Sequence, residues 1–234
     1  MVGADGTNSA VRQQLIPEAV VDELHWAVYG RTPIGAETLD WMPDVLLDSF
    51  NRVIGPGEAA MAVATCRTRE PVRQASARLA PGALLTDIPD YFSWTMPLLD
   101  LRFRDADPAT LHQLASETVA GWHPAVGRLV GEADVSATFP VCITSSRPVP
   151  RWQASNITLL GDAIHTMSPG RGDGANIALK DARLLCGTLV EVASQRVTLA
   201  AAKAHYETEM LHYAFRAVAD SLNKPFAPAV PSRR

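Results

Sequence analysis

Positive charge, paired cysteines and long apolar runs are all scarce in this chain, and each shortage removes a class of function. The 234 residues carry 21 Lys and Arg against 25 Asp and Glu, a formal net charge of -4. With a pI near 5.8, no basic field exists to draw nucleic acid or an anionic membrane surface. No apolar stretch approaches the roughly 20 residues needed to cross a bilayer. Cys66, Cys142 and Cys186 are odd in number and far apart, with no C-x-x-C pair and no clustered histidine. That spacing argues against a disulfide framework or a zinc site. The three read as reduced thiols, with Cys186 expected to be a small buried hydrophobe. Met1-Val2-Gly3-Ala4-Asp5 lacks the basic-then-apolar order of a signal peptide, so a cytoplasmic location is the default expectation. Internal repeats and low-complexity tracts are also missing.

What is present is a composition of 47% hydrophobic and 20% charged residues, which suits a globular chain with one large core or two smaller ones. Its most informative stretch runs from Gly161 to Asn176. The strand-like Asn156-Ile157-Thr158-Leu159-Leu160 leads into Gly161-Asp162-Ala163-Ile164-His165, then Pro169, Gly170, Arg171, Gly172, Asp173, Gly174, Ala175 and Asn176. From Gly174 a helix is predicted, with Leu179, Ala182, Leu185 and Leu189 at helical spacing. Glycines let the backbone approach a ligand closely, and the helix start offers unpaired N–H groups and partial positive charge to an anion. Connections between a strand and a helix usually take about two to six residues, and longer ones tend to be functional.

Two other readings of this stretch fail. Gly170, Gly172 and Ala175 fit a loose G-x-G-x-x-A search, with Glu191 as a ribose ligand. Yet Gly170 does not follow a strand directly, and Glu191 falls inside the helical pattern. Arg171-Gly172-Asp173 spells an adhesion tripeptide in a chain without a secretory signal.

The pattern G-D-A-x-H-x-x-x-P-x-x-G-x-G-x-N, completed by Asp181-Ala182, resembles the second flavin motif of the FAD-dependent aromatic hydroxylases, a flavoprotein monooxygenase family. Val2-Gly3-Ala4-Asp5-Gly6-Thr7-Asn8-Ser9-Ala10-Val11-Arg12 resembles the same family's D-G-x-x-S-x-V-R motif, in the right order and about 150 residues earlier. Asp5-Gly6 taken alone is a common turn pair, and Ser9 is placed to cap a helix from Ala10. The resemblance implies a hydrogen bond from Asp162 to the ribityl chain. It also implies that Asp5 and Gly6 organise the ribityl and pyrophosphate region, and that Pro169 and Gly170 to Gly174 border the ring. The helix start at Gly174, Ala175 and Asn176 then faces the N1/C2 carbonyl edge. Arg12 is a candidate for the nicotinamide path, with a surface helix residue as the alternative. His165 reads as structural, bonded behind the loop, and Arg171 stays open between cofactor and substrate. His25, His112, His123, His205 and His212 have no evident partner.

The expected fold is α/β: a partial FAD-binding domain at 1–21 and 151–224, interrupted by a mixed-sheet substrate domain at 22–150, with C-terminal helices and a tail at 225–234. Strands are expected at His25–Arg31, within Glu58–Arg69, within Asp90–Leu98 and at Val135–Ile143. Helices are expected over Leu39–Val53, from Asp107 to about His123, and around Val126–Val130. Trp94, Met96, Pro97 and Leu98 either line an apolar substrate pocket or form a buried strand.

By resemblance, NADH or NADPH reduces the flavin and O2 then gives a flavin hydroperoxide that hydroxylates an aromatic or similar electron-rich small molecule. The family's opening G-x-G-x-x-G unit has no counterpart in residues 1 to 4. Roughly 150 to 180 upstream residues are therefore expected to be missing, an estimate from the family layout and the usual size of a domain. The isolated chain is accordingly expected to lose FAD during purification and to self-associate or pair with a complementing N-terminal polypeptide. The alternative is a non-catalytic monooxygenase remnant acting as a binding or interaction module.

Overall fold

Short apolar runs closed by glycine, proline or capping residues set the elements of the computed structural model, which describes residues 1–83, 85–152 and 156–223. The chain opens with β1 (Val2–Gly3), α1 (Ala10–Leu15), β2 (Val21–Pro33), α2 (Ala36–Trp41), β3 (Phe50–Ile54), β4 (Ala60–Cys66), α3 (Val72–Leu79) and β5 (Tyr91–Pro97). It continues through α4 (Pro108–Thr118), α5 (Pro124–Gly131), β6 (Phe139–Ser146), β7 (Thr158–Leu159), α6 (Asp162–His165), α7 (Gly174–Ala193) and α8 (Leu199–Asn223). This mixed α/β chain divides into two compact units, Met1–Leu24 with Ile143–Arg234, and His25–Cys142. The tail expected at 225–234 lies outside the described residues.

The His25–Cys142 unit is built on a sheet of order β3-β4-β5-β2-β6, in which β4 pairs antiparallel with β3 and β5, and β5 with β2. Strand alternation sends Phe92, Trp94 and Met96 to one face. There they join Val28, Met61, Val63, Leu111, Ala115, Leu129 and Val130 in a core supplied by the sheet and by α4 and α5. Trp94, Met96 and Leu98 are thus parts of a helix-covered core, while Pro97 is exposed. Gly30 stands opposite Trp94 in the register, and a Cβ there would lie 2.1 Å from the indole ring. The Trp94 Nε1–H donates to Thr32 Oγ1 (3.2 Å), and the Thr32 hydroxyl donates to the Leu129 carbonyl (2.6 Å).

Three expectations for this unit change. The helix predicted over Leu39–Val53 stops at Trp41, because Pro43 ends it. A 3-10 turn at Asp44–Leu46 follows, and Phe50–Ile54 is a strand against Ala60–Ala64. The helix opened by Asp107, whose carboxylate accepts from the Ala109 and Thr110 N–H groups, ends at Thr118. His123-Pro124 instead begins α5, with proline in the first turn, where no N–H is needed. The strand expected from Val135 starts at Phe139, after a 3-10 turn. The helix at Val72–Leu79 had no counterpart in the sequence reading.

In the other unit β1 and β7 form a parallel pair, Val2 with Thr158 and Gly3 with Leu159. Ile16, Leu159, Ala163, Ile164, Leu185, Tyr206, Met210 and Ala214 form its core. On α8, Tyr206, Met210, Ala214 and Val218 recur every fourth residue and are all buried, whereas His205 is exposed. The inward face of α7 is not the expected apolar stripe. Asp181, Leu185 and Thr188 point inward, and Leu179, Ala182, Cys186 and Leu189 are exposed. Asp181 can take an interior position because its carboxylate is fully hydrogen-bonded there.

Candidate functional site

Both sequence motifs lie in the Met1–Leu24 and Ile143–Arg234 unit, and their loops meet at one cleft. After β1 the chain turns at Gly6 (φ 76°) into α1. Ser9 caps that helix, its hydroxyl accepting from the Arg12 N–H (2.8 Å), as its position in the sequence suggested. Asp5 turns toward its own loop, Oδ1 accepting from Ser9 Oγ (2.6 Å) and Oδ2 from the Val11 N–H (3.2 Å). The Ser9 bond holds the Asp5 carboxyl below the usual carboxylate range.

After β7 the chain reaches Gly161 at φ 60°, ψ -145°, a conformation essentially reserved for glycine. A single helical turn, α6, follows where the sequence suggested only loop. Asp162 begins that turn with its side chain exposed, whereas Ala163, Ile164 and His165 are buried. Pro169–Arg171 forms a 3-10 turn closed by Gly172 at φ 68°. The Arg171 guanidinium donates to Asp173 (3.0 Å). The Asp173 side chain does not cap α7, and its own backbone is already helical (φ -85°, ψ -21°), so the first N–H groups of this 20-residue helix have no side-chain cap.

The cleft has a volume of about 520 Å³ and is lined by Gly6, Gly161, Asp162, Pro169, Gly172, Gly174 and Ala175, together with Ala4, Leu160, Met167, Ser168 and Ala178. The first seven are among the residues singled out from sequence. The last five were missed, because apolar and small residues beside a motif carry no pattern of their own. Asp5, Arg12, Gly170, Asp173 and Asn176 are not among its lining residues. Gly170 is buried beneath the turn. Arg12 is neither on the surface nor in the cleft. It is 6% exposed, and its guanidinium donates to the carbonyls of Ala163 (2.9 Å) and Thr7 (2.8 Å), tying the two loops together. Burial lowers its pKa, against the opposing pull of Asp5. His165 is buried with its Nε2–H on Asp181 (2.6 Å).

A family profile described as an FAD binding domain matches residues 102–221, half of the chain. The chain belongs to the FAD binding domain family of the flavoprotein monooxygenases. Relatives of this FAD-binding family extend the match. The dual O-methyltransferase/FAD-dependent monooxygenase elcB of Phaeosphaeria nodorum is 33% identical over 216 residues, 78% of this chain and 22% of its own length. Among solved structures, a protein of Photorhabdus luminescens assigned as an FAD-containing monooxygenase is 30% identical. It superposes with a TM-score of 0.80 over 96% of this chain and 60% of its own. Klebsiella pneumoniae HpxO, solved with FAD and uric acid, is 25% identical with a TM-score of 0.67, over 94% of this chain and 49% of that one. The chain therefore spans less than two thirds of each of these relatives. The cleft itself offers positive-φ glycines, an exposed carboxylate and an uncapped helix start.

Proposed function

We propose that this chain supplies the ribityl and ring portion of an FAD site, and the substrate domain, of a monooxygenase that uses NAD(P)H and O2 to hydroxylate an aromatic or similarly electron-rich small molecule. The observation that carries the reading is the meeting of Gly6, the Gly161-Asp162 turn and the Gly172–Ala175 helix start around one cleft. Bound FAD would supply the redox chemistry. The chain's residues bind and orient it: Asp162 accepts hydrogen bonds from the ribityl hydroxyls, and the Gly174 and Ala175 N–H groups place the positive end of α7 at an electron-rich ring edge. A complementing N-terminal dinucleotide-binding unit would hold the ADP half. The proposed location is cytoplasmic.

Titrating the chain with FAD and following flavin fluorescence tests this. Asp162→Ala is expected to weaken binding by about 1.5–3 kcal/mol, roughly ten- to a hundredfold, by removing a charge-assisted hydrogen bond. Equal affinity in the variant would take Asp162 out of the site.

For the substrate, the face of the His25–Cys142 sheet opposite Trp94 is the better surface. Ala62, Thr95 and Tyr29 follow one another across three strands, as do Ala64, Ser93 and Arg31, and all six are half-buried. Small residues flanked by an aromatic ring make a flat floor for a planar molecule, and HpxO was solved with one, uric acid. Thr95→Trp is expected to raise KM for planar substrates at least tenfold by filling that floor. Met96→Gln should instead lower stability and leave the order of substrate preference unchanged. Steady-state assays of the chain complemented with its dinucleotide-binding unit, over a panel of phenols and purines, distinguish these faces, and an unaltered KM in Thr95→Trp would exclude this floor.

A further inference from the structure

The cleft side of the Gly161-Asp162 turn is accounted for by cofactor binding, but its reverse side holds a second, buried arrangement. Asp181 is fully buried and accepts three hydrogen bonds. Its Oδ2 takes the Gly161 N–H (2.8 Å) and the His165 Nε2–H (2.6 Å), and its Oδ1 takes the Tyr213 hydroxyl (2.6 Å). These donors come from both ends of α6 and from α8. Burial, and then the bond to Asp181, drives the pKa of the Tyr213 phenol far above its ordinary value, so the hydroxyl stays a donor. The Lys180 ammonium lies 3.7 Å from the centre of the Tyr213 ring and holds it from above.

The arrangement has a counterpart at the other side of the same helical turn. The Arg12 guanidinium, also buried, donates to the Ala163 carbonyl. α6 thus has an anion on its entering N–H and a cation on one of its carbonyls, which complements the backbone dipoles. A buried carboxylate with three donors resists displacement, because leaving any donor unpaired carries the full desolvation penalty. Gly161 is therefore locked in its left-handed conformation by a residue 20 positions later in the chain.

We propose that Asp181 is a positioning residue of the cofactor site and that Tyr213 acts through it. By fixing Gly161 they aim Asp162 into the cleft and couple α8 to the affinity of the site, without touching the ligand. The proposal rests on the FAD reading of the cleft.

The test uses the 234-residue chain, isotope-labelled, as Tyr213→Phe, Asp181→Asn and a control, Thr208→Ala, whose hydroxyl bonds within α8 to the Ala204 carbonyl. Amide hydrogen exchange at Gly161 and across α8 is measured first, and FAD is then titrated while the amide shifts and the flavin absorption band are recorded. Tyr213→Phe is expected to speed Gly161 exchange and weaken FAD binding about tenfold each, and Asp181→Asn by more, up to about a hundredfold. The flavin band should shift in both variants while α8 protection and the control stay as in the parent. A purely structural role would loosen α8 and leave the band of the bound flavin unmoved, and that result would overturn the proposal. Unchanged Gly161 exchange, or faster exchange with undiminished FAD affinity, would also overturn it. If Asp181→Asn does not fold, Tyr213→Phe decides alone. An unsubstituted chain whose cleft amides ignore FAD even at millimolar concentration, where binding without the ADP-holding unit is still seen, defeats the cofactor reading itself and this proposal with it, a failure recognisable because it needs no substitution.

Discussion

Trp94→Ala is expected to lower the stability of the His25–Cys142 unit by about 3–5 kcal/mol, the range for removing a fully buried aromatic ring. The indole lies over Gly30 and gives its N–H to Thr32, so the variant leaves both a cavity and a hydroxyl without its donor. Urea unfolding, read by hydrogen exchange of β4 and β5 amides, measures the change in this unit separately from the other. A loss below about 1 kcal/mol would mean that the ring is not the centre of that core. The partner experiment is Gly30→Ala. Alone it should be severely destabilising, since its Cβ would fall 2.1 Å from the ring. In the Trp94→Ala background the methyl group enters vacated space, so the two effects should be far from additive.

The second large effect is expected at the cleft. Gly161→Val places a β-branched side chain at φ 60°, ψ -145°, with its Cβ 3.2 Å from the Ala178 Cβ. Backbone strain of about 1–3 kcal/mol and a crowding term of similar size together give about 2–6 kcal/mol. The chain can relieve this by rotating the Gly161 peptide, which breaks the bond to Asp181 and turns Asp162 out of the cleft. FAD affinity is therefore expected to fall by a hundredfold or more, with a lower melting temperature. A Gly161→Val chain with parental FAD affinity would show that the turn's geometry does not matter to the ligand.

How much of this was legible depended on whether the information was local. Ser9 before Ala10, Asp107 before Pro108 and the glycines from Gly161 to Gly174 act on their immediate neighbours, and they mark their elements in the sequence. The break after Trp41 is also local, since Pro43 follows within two residues, yet the helix expected over Leu39–Val53 ran through it. Phe50–Ile54 became a strand because Ala60–Ala64 pairs with it, a tertiary choice that overrides periodicity. The face of α7 misled for a different reason. Hydrophobic spacing sees carbon, and the inward residue Asp181 is a carboxylate whose partners lie 16, 20 and 32 positions away. Arg12 was ambiguous for the same reason, since its partners include the Ala163 carbonyl across 151 positions.

Because Val2 pairs with Thr158, β1 waits for a partner 156 positions later in the chain. Closing so long a loop from a disordered chain is slow. The His25–Cys142 unit shortens that search, since β2 and β6, the strands by which the chain enters and leaves it, are neighbours in its sheet. Once that sheet forms, the chain ends that lead to β1 and β7 start from the same place, and the loop left to close is a few tens of residues. The inserted unit thus acts as a folding clasp, and a lesion such as Trp94→Ala is expected to slow the pairing of β1 with β7.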